Sequence, residues 1–274
     1  MKYLHHLLFL VVIVTTVSKS QPLDNILLVI NYNWAHYQSI PLLKKIYQNY
    51  FANIVFYGPR QSRDVTGCSH DDGYISYVCV ADAMKRYPQY QGYLFLMDDC
   101  ILAARKVMDL DQSKIWMPEI PFLSATRGNF FNVTHQAKAS SWGWWHSKWG
   151  WQAMEKAYNE LPELYKKNLN KNIGKSQVMA SYSDVLYIPG CYREQFIELA
   201  EIFGKHRVFL EMAFPTMLSC LCKPDEWIWL KGHGTHRKHQ TESFKYSVYF
   251  NHPLKLSDPR VRAFIEKVFE AKRL

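Results

Sequence analysis

The stretch Tyr93 to Met97 (YLFLM) is a short apolar and aromatic run behind Gly92, the pattern of a buried strand, and it stops abruptly at two carboxylates, Asp98 and Asp99. Adjacent acids at the end of a buried strand constrain the fold more than any other feature of the chain. They pack poorly in a core but are well placed to hold a divalent cation. In open α/β sheets the carboxyl edge of the strands is where ligands bind. The same pair could instead cap the next element or start a turn.

The residues before the pair alternate between strand and helix. Asn25 to Ile30 (NILLVI) reads as a buried strand ending at Asn31, Tyr32 and Asn33. Ile40 to Phe51 places Leu42, Leu43, Ile46 and Tyr50 at helical spacing, with Pro41 favourable in the first turn. Asn53 to Tyr57 is a second strand, stopped by Gly58-Pro59. Strand, helix and strand with short connections predict a right-handed parallel βαβ unit. Residues 60–73 are polar and loop-like, and Ile75 to Tyr87 reads as a helix ending before Pro88, although its Tyr and Val content leaves a strand open. Residues 25–102 therefore predict the nucleotide-binding half of a Rossmann-like α/β domain with a mostly parallel central sheet flanked by helices. No G-x-G-x-x-G or P-loop sequence is present, which disfavours dinucleotide-type and Walker-type phosphate binding.

Residues 103–274 are less regular. Strands are predicted at Lys114 to Met117, at Ser183 to Pro189 with Asp184 near its start, and at Tyr246 to Phe250. Helices are predicted at Gln152 to Asn159, Pro162 to Lys171, Arg193 to Phe203, Val208 to Leu221 and Asp258 to Lys272, with Glu211 among apolar neighbours in the fourth. Lys231 to Thr241 (KGHGTHRKHQT) reads as a solvated loop, its Lys and Arg arguing against a three-His metal site. Ser141 to Trp151 holds five Trp in eleven residues, a hydrophobic plug with a sugar-stacking wall as the alternative; core is the preferred reading.

Composition enters at three points. The hydrophobic fraction of 48% over 274 residues makes the chain globular, with no long linker and no internal repeat. A net charge of +9 suits an anionic substrate such as a nucleotide diphosphate, and no nucleic-acid-binding motif accompanies it. Lys2, the apolar run Leu7 to Val17 and the small residues around Ser20 have the layout of a secretory signal over residues 1–20, cleaved or kept as a short signal-anchor. Residues 21–274 are then one domain facing the lumen of the ER or Golgi, or the outside, touching membrane only through the N-terminal segment. Asn132-Val133-Thr134 is a glycosylation acceptor triplet in what reads as a polar loop. The six cysteines suit an oxidising compartment; Cys68 with Cys79 is the expected short-loop pair, Cys100 is expected free and buried, and none has zinc-site spacing.

The order of parts resembles the GT-A class of metal-dependent glycosyltransferases and is similar in layout to exostosin-type catalytic domains. It runs from a nucleotide-binding βαβ half through a strand ending in paired acids to a half with a buried Glu and a late His-Pro-x-Lys. Met97-Asp98-Asp99 lies where that class has a D-x-D or E-D-D signature, and Met97 in place of the first acid is a departure. The resemblance implies a nucleotide-sugar donor, a glycan, protein or lipid acceptor, and Mn²⁺ or Mg²⁺. It further implies Asp99 as the principal metal contact and Asp98 beside it, holding the ribose or a water on the metal. His252 would be a late metal ligand and Lys255 would lie near the diphosphate. Asn31 and Asn33 would meet the base or ribose, and Glu211 would be the general base. Two other readings share the fold: an inactive secreted sugar- or nucleotide-binding protein, and a nucleotidyltransferase that attacks phosphorus rather than carbon.

Overall fold

The computed structural model describes residues 23–120, 127–133, 142–235 and 239–271; the expected signal segment and Thr134 lie outside the described residues. The first half comprises β1 (Leu23–Asn31), α1 (Ile40–Tyr47), β2 (Phe51–Gly58), β3 (Val65–Gly67), α2 (Tyr77–Arg86) and β4 (Gly92–Met97). Strand β1 pairs in parallel with β2 and β4, and β2 pairs in parallel with β3, so the predicted βαβ half is present. Two boundaries differ from expectation. The first helix stops at Tyr47 rather than Phe51, because the Tyr50 N–H turns back to the Tyr47 carbonyl (2.9 Å) and the Leu23 N–H caps the Tyr50 carbonyl (2.8 Å), sending the chain into β2. Residues 60–73 are not all loop, since Val65–Gly67 pairs with the exposed edge of β2.

The second half adds β5 (Ile101–Leu102), α3 (Ala104–Val107), β6 (Trp116–Glu119), β7 (Asn129–Asn132), α4 (Trp151–Glu160), α5 (Glu163–Ile173), β8 (Gln177–Ala180) and β9 (Val185–Pro189). It closes with α6 (Arg193–Lys205), α7 (Leu210–Ser219), β10 (Ile228–Gly234), β11 (Phe250–His252) and α8 (Pro259–Glu270). Three expectations are corrected. Lys231 to Gly234 is strand, not solvated loop, because β10 pairs with β6 on one side and β11 on the other. The last strand is Phe250–His252 rather than Tyr246 to Phe250: the Asn251 side chain bonds both the N–H and the carbonyl of Lys245 (2.9 Å each), which folds the preceding residues into a loop. Asn132 ends β7, paired antiparallel with β8, and is not in a polar loop.

The main sheet has the order β3-β2-β1-β4-β9-β6-β10-β11-β5, with β7-β8 as a separate pair. This order forces curvature. Strand β5 follows β4 after only Asp98, Asp99 and Cys100, yet the two lie five positions apart in the sheet. Five strand spacings in a flat sheet cover about 24 Å, whereas the four residue steps from Met97 to Ile101 span at most about 14 Å. The sheet therefore curls until β5 returns towards β4, and the acid pair sits in the seam.

Helices cover the sheet, with α2 packed on α6 and α7, and α1 on α8. Ile26 to Ile30 and all of β4 are buried, which is why these strands read as continuous apolar runs. In the tryptophan cluster Trp145 is fully buried and stacks on Phe131 (4.5 Å), while Trp142, Trp144, Trp149 and Trp151 pack half-buried against the core. Packing is thus their main role.

The Cys68–Cys79 disulfide is formed, and Cys100 is free and buried. The disulfide joins the residue after β3 to α2 and brackets the loop His70–Ser76, which lies over the end of β1. Closing so short a loop stabilises a domain chiefly by restricting the unfolded chain. Replacing both Cys68 and Cys79 by Ser is expected to cost ~2–3 kcal/mol, read as a lower denaturant midpoint with little change in slope.

Candidate functional site

Two pairings assemble the site. Strand β9 runs antiparallel to β4, with Val185 opposite Leu96. The residue before β9 therefore meets the residues after β4, and the Met97 N–H donates to the Asp184 carbonyl (2.9 Å). On the other flank β11 pairs antiparallel with β5, and the chain beyond it wraps the second acid: the Leu254 N–H donates to the Asp99 carbonyl (2.7 Å). The expected neighbourhood of Asp99 and His252 is present, although the strand that delivers His252 contains it rather than preceding it.

The Asp99 carboxylate is almost fully buried, at 4% exposure. Lys255 Nζ ion-pairs with its Oδ2, and His252 Nε2 lies 3.1 Å from its Oδ1. That imidazole contact is not aligned as a hydrogen bond, so Oδ1 is a buried acceptor with no hydrogen-bond partner among the described residues. His252 Nε2 is also 3.5 Å from Asp184 Oδ1, and the Tyr182 hydroxyl bonds His252 Nδ1. Glu211 lies in the first turn of α7, whose start is tied to the approach to β9 by the Ser181 N–H on the Glu211 carbonyl (2.8 Å).

Four carboxylates thus share a site with one ammonium and one imidazole. Burial and the neighbouring Asp99 push Asp98 well above the usual carboxylate range, against the pull of Lys255 and the Asn33 N–H. Burial, Glu211 and Asp99 do the same to Asp184. Burial raises Glu211 to about 8. Asp99 is the exception: burial opposes its charge, but His252 and Lys255 together hold it below the ordinary range. Burial pulls the Lys255 ammonium down, and Asp99, Asp98 and Asp184 more than reverse that.

This surplus of acid suits a cation. Cis ligands of an octahedral ion with ~2.1 Å bonds are about 3.0 Å apart, close to the 3.1 and 3.5 Å that separate His252 Nε2 from Asp99 and Asp184. Nevertheless, no three His, Cys, Asp or Glu side chains close into a cation-holding set among the described residues. The pairs have the right spacing and the right donors without forming a cage. Mg²⁺-type sites in which phosphates and waters complete the shell are built from one or two carboxylates in this way.

The remaining expected residues are placed as follows. Asn31 is fully buried, its Nδ2 on Ser76 Oγ (3.0 Å), so it supports the loop over β1 from beneath. Asn33 is half-buried, its backbone N–H favours the charged Asp98, and its Oδ1 lies against Gly73. Gly73 has φ +93°, a conformation that favours glycine, and an added Cβ would come within 1.8 Å of that oxygen and displace the Asn33 side chain. Asp184 and Tyr182 belong to the site but were not assigned from sequence. An acid immediately ahead of an apolar strand was the available signal for Asp184; placing it required knowing that β9 is antiparallel to β4.

No family model matches the chain, and no curated protein matches it. Among solved structures it is similar to the crystal structure of a glycosyltransferase involved in the glycosylation of the major capsid of PBCV-1, with a TM-score of 0.43 and 11% identity over 86% of this chain and 97% of that one.

The raised Glu211 carboxyl has a consequence for stability. Its proton is bound more tightly in the folded chain than in the unfolded one, where the ordinary value is 4.5. Its contribution is complete below that value and is lost as pH rises through about 8. Glu211→Gln keeps the neutral form at every pH. Its melting temperature is expected to match the unaltered chain near pH 5 and to exceed it by roughly 2–4 °C or more at pH 9. Parallel melting curves across that range would contradict the assignment.

Proposed function

We propose that this chain is a divalent-metal-dependent glycosyltransferase that moves a sugar from a nucleotide-diphosphate donor to an acceptor hydroxyl in the lumen of the secretory pathway. The observation that carries the reading is the buried Asp99 carboxylate at the carboxyl edge of the parallel strands, met there by His252 and Lys255 from the other end of the chain. The Cys68–Cys79 disulfide favours an oxidising compartment.

The chemistry explains why these groups belong together. The leaving group is a nucleoside diphosphate, on whose oxygens charge builds as the sugar–phosphate bond breaks. Mn²⁺ or Mg²⁺, when bound, neutralises that charge. Asp99 and His252 are the residues that would hold it, the phosphates and waters completing its shell, with Asp184 beside His252 and Asp98 near the ribose or a metal-bound water. The Asn33 N–H favours the charged form of Asp98, and Asn31 supports the loop over the nucleotide-binding strands. Lys255, half-exposed beside Asp99, supplies a point charge to the diphosphate. An inverting displacement also needs a base for the acceptor hydroxyl, and a Glu held to about 8 suits that task near neutral pH.

The test is a screen of UDP- and GDP-sugars for Mn²⁺-dependent protection against melting, followed by product analysis. A responding donor should yield free nucleoside diphosphate when acceptor is supplied. Pyrophosphate instead would make the chain a nucleotidyltransferase, and protection without turnover would make it a binding protein. Asp99→Asn is expected to fold and to lose the Mn²⁺-dependent part of nucleotide binding. Unchanged Mn²⁺-dependent affinity in that variant would contradict the metal assignment.

A further inference from the structure

We propose that Tyr182 is a positioning residue for His252, a role that rests on the metal site proposed above. The Tyr182 hydroxyl bonds His252 Nδ1, and the two rings meet edge-on at 5.3 Å and 70°. The other imidazole nitrogen, Nε2, is the one turned towards Asp99 and Asp184. Tyr182 is itself fixed from three sides. Its ring packs along Phe250 (6.3 Å, 21°), the Ser181 N–H before it is held by the Glu211 carbonyl, and Ser183 Oγ after it donates to the Ser181 carbonyl (2.9 Å). The hydroxyl is thus held against the imidazole nitrogen opposite the one that meets Asp99 and Asp184.

A hydroxyl suits this place because it both donates and accepts. Where Nδ1 carries no proton, Tyr182 donates to it; where Nδ1 is protonated, the Tyr182 oxygen accepts, so the contact persists in either ring state. A cation needs the Nε2 lone pair, which leaves the ring proton on Nδ1, where Nδ1–H donates to the Tyr182 oxygen. A carboxylate or carbonyl at this place accepts only and would fix the Nδ1–H form. A phenylalanine would leave Nδ1 unpartnered. Outer partners of metal-bound imidazoles typically change affinity 10–100-fold when removed.

Two measurements on the full chain test this. Side-chain ¹H–¹⁵N correlation spectra of histidine-labelled protein with saturating Mg²⁺ should give His252 the Nδ1–H pattern, with the Tyr182 oxygen accepting. Titration with Mn²⁺ alone, following the free-ion paramagnetic resonance signal, should show Tyr182→Phe binding about tenfold more weakly at an unchanged melting temperature. His252→Ala should lose at least as much, and the double variant should be no weaker than His252→Ala alone. An unchanged Mn²⁺ affinity in Tyr182→Phe, or a loss that adds in full to that of His252→Ala, overturns the proposal. Should Tyr182→Phe fail to fold, the spectra of the unaltered chain decide, and a His252 without the Nδ1–H pattern at saturating Mg²⁺ overturns it. If the unaltered chain binds no Mn²⁺, the metal reading falls by itself. The positioning role is then judged by whether Tyr182→Phe changes the His252 tautomer, and no change overturns it.

Discussion

Three residues, Asp98, Asp99 and Cys100, connect strands that lie five places apart in one sheet, and the rest of the architecture follows from that short connection. A chain of this length cannot cross a flat sheet. The second half must therefore curl back until β11 and β5 stand near the end of β4. The curl converts a sequence separation of 156 residues between Asp99 and Lys255 into a direct ion pair. It also puts the acid pair in the seam, where Lys255 and His252 meet the Asp99 carboxylate and the Asn33 N–H favours the charged Asp98.

The electrostatics of that seam are unbalanced in a way that a purely structural ion pair would not need. One buried acid matched by one lysine would be a closed account. Here Asp98, Asp99, Asp184 and Glu211 surround a single ammonium and an imidazole, and three of the four acids are pushed towards their neutral forms. Buried charges persist when they are paired or when they coordinate a cation. Asp99 Oδ1, which Lys255 does not bond, has no aligned hydrogen-bond donor among the described residues, with His252 Nε2 3.1 Å away. Lys255, the partner of Asp99, is half-exposed and so faces solvent as well as the seam.

Much of this was legible in the sequence, for identifiable reasons. Strands β1 and β4 are buried on both faces and so appear as unbroken apolar runs; α1, α2, α6 and α8 bury one stripe each and so show helical spacing. The acid pair and the late His-Pro-x-Lys stood out because their chemistry is out of place beside such strands. The short strands were harder to read. Strand β10 carries Lys231, Gly232 and His233, and β11 is three residues long; both are strands because neighbours supply their hydrogen bonds, not because of their own pattern. For the same reason Asp184 and Tyr182 were not assigned to the site. Their position depends on the antiparallel direction of β9, and nothing in Val185 to Pro189 encodes direction. Asn31 was read as a ligand contact from its place at a strand end, but its side chain is turned inward to the loop that the disulfide brackets.

The central claim is that the seam between β4 and β5 is a cation site shared with a nucleotide. Anomalous diffraction from crystals grown with Mn²⁺ and a nucleoside diphosphate tests it most directly. The account predicts a manganese peak ~2–2.5 Å from an Asp99 oxygen, with His252 Nε2 in its shell and Lys255 moved from Asp99 to the phosphates. Bound nucleotide with no peak there, and Lys255 still on Asp99, would contradict it.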